Sequence, residues 1–223
     1  MTSTPRRLIA ACVLLVASSL SIVSGCAAPR YCSIRPVPKS PLVDRLKLTS
    51  RSGPEASPRT KQFLRVNDLV DDREGDPRDL LEKAQEIIER DPSDEKIYAF
   101  AELAYLEAKK VEDSDPQLAL DLYGASVLHA FEYLFDDRFR RLRNPYDPQF
   151  RGACDLYNGA LEGGLRIACR DGGLVPGQTY TIKTPTGQWD ITCELRGGPW
   201  RKEDFDHFEF ASDYVIRGLN NYY

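Results

Sequence analysis

Two histidines and six cysteines carry most of the reactive chemistry in this 223-residue chain. His129 follows Ser126 by one helical turn, with Asp121 and Glu132 nearby in sequence. A nucleophile needs a base in hydrogen-bond reach and a third group to orient that base. The Ser126–His129 spacing permits contact but aims both side chains along one helix. A packed or partly exposed imidazole is therefore expected, and no catalytic residue is assigned. His207 lies in Glu203-Asp204-Phe205-Asp206-His207-Phe208-Glu209, a mixture able to ligate a divalent cation. Consecutive residues of an extended chain point to opposite faces, so the expectation is a solvated charged face and no metal site. The paired carboxylates Asp71-Asp72 and Asp136-Asp137 read as charged loops. No GxSxG, P-loop, dinucleotide glycine fingerprint or HExxH occurs, and no cofactor is expected.

The N-terminus carries the clearest signal. Arg6 and Arg7 precede the apolar run Leu8 to Val23, which leads into Val23-Ser24-Gly25-Cys26. Basic flank, apolar run and small residues together predict an export signal over residues 1–25. Val-Ser-Gly-Cys resembles the lipobox of bacterial lipoproteins. That resemblance implies cleavage before Cys26, a diacylglyceryl thioether on its sulfur and acylation of the new amino group. Several acyl chains, at about 0.8 kcal/mol per buried CH2, anchor a protein permanently. Ala27 in place of Asp implies passage to the outer membrane rather than retention at the inner one.

Removing residues 1–25, which hold Arg6 and Arg7 and no acid, leaves 28 basic and 34 acidic residues, net −6. An acidic body of this kind argues against a nucleic-acid partner. Cys32, Cys154, Cys169 and Cys193 remain beside the lipidated Cys26. If Cys154 and Cys169 share a helix they lie about 22 Å apart and do not bond to each other. Two pairings stay open, Cys32–Cys154 with Cys169–Cys193 or Cys32–Cys169 with Cys154–Cys193; so does a set of buried free thiols.

The elements that position these groups follow from composition and period. Residues 26–60 hold six prolines and no sustained apolar pattern, which predicts a Pro-rich tether, with a short stretch from Leu42 to Leu48 docking on the body. Asp-Pro recurs at 76–77, 91–92, 115–116 and 147–148, each before an apolar pattern of helical period. Asp can cap the exposed amides while Pro sits in the first turn, where its missing N–H is harmless. Four helices are predicted, at 77–90, 93–110, 116–135 and 148–170. The third, with Leu118, Leu122, Tyr123, Leu128, Phe131, Leu134 and Phe135, is expected at the centre of the core. Gly159, Gly163 and Gly164 predict either close approach or a bend in the fourth. Alternation at 180–183 and 189–195 around Thr184-Pro185-Thr186-Gly187 predicts a β-hairpin. The fold class is mainly α: an antiparallel bundle or TPR-like hairpins of about four helices, with a small C-terminal β-hairpin. The domain reading is a signal at 1–25, a tether at 26–60, helices at 61–171, the hairpin at 172–200 and an aromatic-rich segment at 201–223.

One further resemblance rests on Asn144-Pro145-Tyr146-Asp147-Pro148-Gln149-Phe150-Arg151-Gly152-Ala153-Cys154-Asp155-Leu156-Tyr157-Asn158, with Tyr123-Gly124-Ala125-Ser126 and the segment from Asp213-Tyr214 to Asn220. Residues 75–220 are similar to the N-terminal helical region of bacterial envelope proteins whose larger members continue into an α/β-hydrolase, lipase/esterase-like domain. The sequence stops at Tyr223 before any such core, so no catalytic residue is carried over. The expected function is a non-catalytic, lipid-anchored envelope module that binds a partner protein or domain through the hairpin and Phe205, Phe208, Phe210, Tyr214, Tyr222 and Tyr223. The alternative is the front portion of a secreted α/β-hydrolase.

Overall fold

A computed structural model describes residues 32–34, 42–139, 144–168, 170, 177, 179–185, 187–192, 194, 201, 204 and 210–216. The chain forms two compact units, one of Met1–Pro38 with Phe210–Tyr223 and one of Lys39–Glu209. In the first, strand β1 (Cys32–Ile34) pairs antiparallel with β4 (Tyr214–Ile216), Ser33 opposite Val215. Sequence alternation is too short to reveal either strand, since each has three residues.

The second unit is a helical bundle with a two-stranded hairpin. Its helices are α1 (Leu42–Arg45), α2 (Pro58–Val66), α3 (Pro77–Arg90), α4 (Asp94–Val111), α5 (Pro116–Phe135) and α6 (Pro148–Ala168). The Asp-Pro reasoning fixes α3 and α5 residue for residue. Asp76 accepts from the Arg78 amide at 2.8 Å and Asp115 from Leu118 at 3.0 Å, each with Pro in the first turn. Asp91-Pro92 behaves differently. Ser93 caps α4 by accepting from the Lys96 amide at 3.3 Å, while Asp91 closes α3 and takes the Lys96 ammonium.

The expected tether ends earlier than residue 60. Leu42 and Leu46 are fully buried, and Ser57-Pro58 starts a helix that the prolines had obscured. Leu42 seats by α6, where Gly159 leaves room for it beside Tyr105. Every residue of α4 from Ile97 to Ala108 is buried, so this stretch of the helix is covered all round. Helix α5 is central as its composition implies: it packs on α4, α6 and strand β2. Phe131 and Phe135, expected in the core, are half exposed at its C-terminal end. Helix α6 runs unbroken through its glycines. A Cβ at Gly163 would come within 2.6 Å of the Tyr123 ring, so a side chain of α5, not its backbone, occupies that space.

Two glutamates lie inside this apolar shell. Glu102 has no exposed surface. One carboxylate oxygen accepts from the Ser57 hydroxyl at 2.7 Å and the Ser57 amide at 3.1 Å; the other accepts from the Tyr98 phenol at 3.4 Å. Burial and the Glu102 charge push the Tyr98 phenol far above its ordinary range, so it stays a donor. Ser57 is also the N-cap of α2. One carboxylate thus ties α2 to α4. Glu102→Ala leaves the Ser57 donors buried and unpaired and is expected to cost about 3 kcal/mol. Urea unfolding of the two proteins measures this, and a loss below about 1 kcal/mol would refute the anchoring role.

Candidate functional site

The hairpin joins β2 (Thr179–Thr184) to β3 (Gly187–Thr192), with Ile182 opposite Trp189 and Tyr180 opposite Ile191. Gly187 closes the turn at φ +132°, backbone that side-chain-bearing residues rarely adopt. A lone hairpin is marginal in water and must land on something. Helix α5 supplies the landing with two residues one turn apart. Gly124 presents bare backbone to Ile182, whose Cγ2 would lie 2.5 Å from any added Cβ. Asp121, itself buried, accepts from the Lys183 amide at 2.9 Å and from Gln117 at 3.4 Å. Ile182 is the buried hydrophobe of the hairpin. Beside it a cleft of about 400 Å³ opens between α3, α5 and the turn, with Leu81, Leu118, Leu122 and Pro185 in its lining.

Only β2 makes this landing. Residues paired across a ladder share a face, so Trp189 and Ile191 point the same way as Ile182 and Tyr180. Yet Trp189 is 45% and Ile191 51% exposed. A second apolar area lies on α5 and α6. Phe131 and Phe135 touch with ring centres 4.7 Å apart, and Tyr157 lies 6.3 Å from Phe131. Phe131 is 51% and Phe135 59% exposed, and Leu161 continues the strip. Half-exposed aromatics held on rigid elements suit a docking surface.

Ser126 and His129 do not form a pair. The Ser126 hydroxyl donates to the Ala101 carbonyl at 2.8 Å, across the α4–α5 contact. His129 is buried, stacked on Phe100 at 3.8 Å. Its Nδ1 lies 2.9 Å from the Ala125 carbonyl and its Nε2 3.0 Å from the Gln85 side-chain oxygen Oε1. The Ala125 carbonyl can only accept, so Nδ1 donates to it, while the Gln85 NH2 donates to Glu89 at 3.1 Å. Asp121 is committed to the hairpin, and Glu132 pairs with Arg138 at 2.5 Å. Asp72 and Asp136 are likewise engaged by Lys83 and Arg138.

Cys154 is a free thiol, half-buried on α6, and burial with the adjacent Asp155 charge holds it above the usual thiol range. Cys169, Cys193, Cys26 and His207 lie outside the described residues, as does the Cys32 side chain. Phe210 and Tyr214 are partly buried, Tyr214 within β4 opposite Ile34. Phe205, Phe208, Tyr222 and Tyr223 also lie outside the described residues. Among the described residues no three His, Cys, Asp or Glu side chains are grouped to hold a metal ion, and no helix is long and apolar enough to cross a membrane. Compared with protein-family models, curated proteins and solved structures, the chain gives no match.

The residues that organise the hairpin, Asp121 and Gly124, are missed by sequence reading. Their partners stand about sixty positions downstream; the one local sign is a small residue and an acid one turn apart on an otherwise apolar helix. Gly124→Val is expected to lever Ile182 out and detach the hairpin while the helices stay folded. Loss of amide-exchange protection at 179–192, with far-ultraviolet circular dichroism retained, checks this; retained protection there would refute it.

Burial lowers the His129 pKa from 6.5 to about 4. The unfolded chain therefore takes up a proton near pH 6.5 that the folded chain refuses until about pH 4. The His129 contribution to stability is full above pH 6.5 and is withdrawn as pH falls from 6.5 to 4, by roughly 3 kcal/mol at the acid limit. His129→Gln should flatten this segment of the pH–stability curve, and a variant with an unchanged slope would show that other groups carry it.

Proposed function

We propose that the chain is an exported bacterial lipoprotein, acylated on Cys26, whose helical body holds a partner protein or domain at the envelope without catalysis of its own. The lipobox-like Val23-Ser24-Gly25-Cys26 supports the anchoring half. The hairpin carries the docking half: β2 fixes it to α5 while β3 leaves Trp189 and Ile191 half exposed on the face that elsewhere is buried. A sheet face with one strand seated and the next overhanging is a surface with room for an added apolar partner. The resemblance of residues 75–220 to regions preceding an α/β-hydrolase domain favours a second reading, in which that domain is what the surface covers.

Cys26→Ser should abolish acyl mass on the mature chain and move it from membrane to soluble fraction; membrane retention without acyl mass would refute the anchor. A photo-crosslinker replacing Trp189 in cells should give one discrete adduct that Ile191→Asp removes. A chain that remains monomeric and uncrosslinked would refute the docking surface. Turnover of a short-chain ester, lost to a serine-directed phosphonate, would overturn the non-catalytic reading.

A further inference from the structure

A cleft of about 620 Å³ lies between the 52–55 loop, α2, the turn at 70–74 and the end of α4. Four cations line it, Lys61, Arg65, Arg73 and Lys110, against two acids, Glu55 and Glu74. The cations are not equivalent. Lys61 and Lys47 both hold Glu55, at 2.8 and 3.2 Å, and drive its pKa down to about 2. Lys110 binds both oxygens of the buried Glu107, at 2.7 and 2.8 Å. Arg73 comes third at that carboxylate. Its Nε stands 3.9 Å from Glu107, beyond hydrogen-bond reach, and is buried with no acceptor. Arg65 is exposed, and its side chain has no acid partner among the described residues.

Counting Lys47 beside the cleft and Glu107 beneath it, five cations face three acids on a chain whose net charge is −4. Lys47, Lys61 and Lys110 are engaged by Glu55 and Glu107, which leaves the two guanidinium groups against Glu74 in the lining. A guanidinium donates in a fixed fork that matches oxyanions, and a buried donor without an acceptor is unfavourable. A phosphate monoester carries about −1.5 to −2 at neutral pH and offers three acceptor oxygens. The cleft has space beyond the phosphate itself, walled by the buried Leu64 and the half-exposed Val70. The geometry points to a phosphate-ester site in which Arg73 and Arg65 hold the phosphate and Leu64 and Val70 contact the group it esterifies. This site does not depend on the docking surface proposed above.

The test uses the full chain in a neutral detergent, with Arg65→Ala, Arg73→Gln and the distant Arg90→Ala for comparison. The exposed Arg65 side chain has no hydrogen-bond or ion-pair partner among the described residues, so its replacement leaves the fold intact even where Arg73→Gln weakens it. Glycerol 3-phosphate should raise the unfolding temperature by a few degrees above chloride of equal ionic strength. Arg65→Ala should raise the half-maximal concentration at least about tenfold, the loss of a charge-assisted pair, while Arg90→Ala leaves it unchanged. A second arm compares phosphatidylcholine vesicles with and without phosphatidic acid. Stabilisation by the soluble ester makes a small phosphate ester the ligand. Binding to phosphatidic acid vesicles alone, lost in Arg65→Ala, makes a lipid headgroup the source. No response in either arm overturns the site, and so does a response that Arg65→Ala and Arg73→Gln leave unaltered.

Discussion

The bundle depends on one buried carboxyl group and the neutral donors that reach it. Glu102 sits in the middle of α4, the helix that every other large helix touches or surrounds, and its carboxyl group accepts from Ser57 and Tyr98. A buried carboxylate is stable only where its lone pairs are filled, so the position of Ser57 follows from that of Glu102. Ser57 in turn caps α2, and the Ser57 oxygen that donates to Glu102 also accepts from the Thr60 amide. The first turn of α2 and the middle of α4 are therefore one hydrogen-bonded unit. This is why the chain folds from Leu42 onward despite prolines at 54 and 58: the loop between α1 and α2 is fastened at its far end.

Helix α5 carries the second constraint, that a helix crowded on three sides must be thin where its neighbours are thick. It meets α4 with Ser126, which turns its hydroxyl into the Ala101 carbonyl instead of leaving it unpaired. It meets the hairpin with Gly124, and it pushes the Tyr123 ring against Gly163 of α6. That phenol, buried and bonded to Glu112 at 2.6 Å, is held well above its ordinary pKa and so remains a donor. Small residues on one helix and aromatic rings on the next are complementary halves of the same contact. The hairpin is stable where it is because a backbone amide, Lys183, finds a buried carboxylate while Ile182 finds bare helix backbone.

What could be read beforehand was what is encoded locally. Asp76-Pro77 and Asp115-Pro116 carry both a cap and a first-turn residue, and those two helices begin where they say. Asp91-Pro92 has the same letters, but Ser93 stands one step later and is the better-placed acceptor for Lys96. Apolar content placed α5 at the centre, yet its period alone treated Phe131 and Phe135 as core. They lie one turn apart on a face of α5 that the bundle leaves open, while Tyr133 between them still meets Tyr98 of α4. Glu102 and Glu107 are acids in an apolar stretch; Lys110 stands one turn from Glu107 on the same helix, whereas Ser57 reaches Glu102 only through tertiary placement. The hairpin was legible from alternation and its Gly187 turn, whereas its landing on Asp121 and Gly124 joins segments far apart in sequence. The strand pair β1–β4 links positions still more distant and too short to show a period.

The two buried glutamates of α4 are satisfied in different ways. Glu102 is answered by uncharged donors, so nothing near it is left over. Glu107, five residues on, is answered by Lys110 from the same helix, which already neutralises it. Arg73 then approaches a carboxylate that no longer needs it and stops at 3.9 Å. A guanidinium does not lose its charge by burial, whereas a lysine in the same place could shed a proton. The surplus therefore stays fixed at Arg73 and is reinforced by Arg65 across the same cleft. An acidic chain that keeps such a spot has its charge arranged by position rather than by total, and recognition of an anion there follows from the local excess, not from the net charge of the whole.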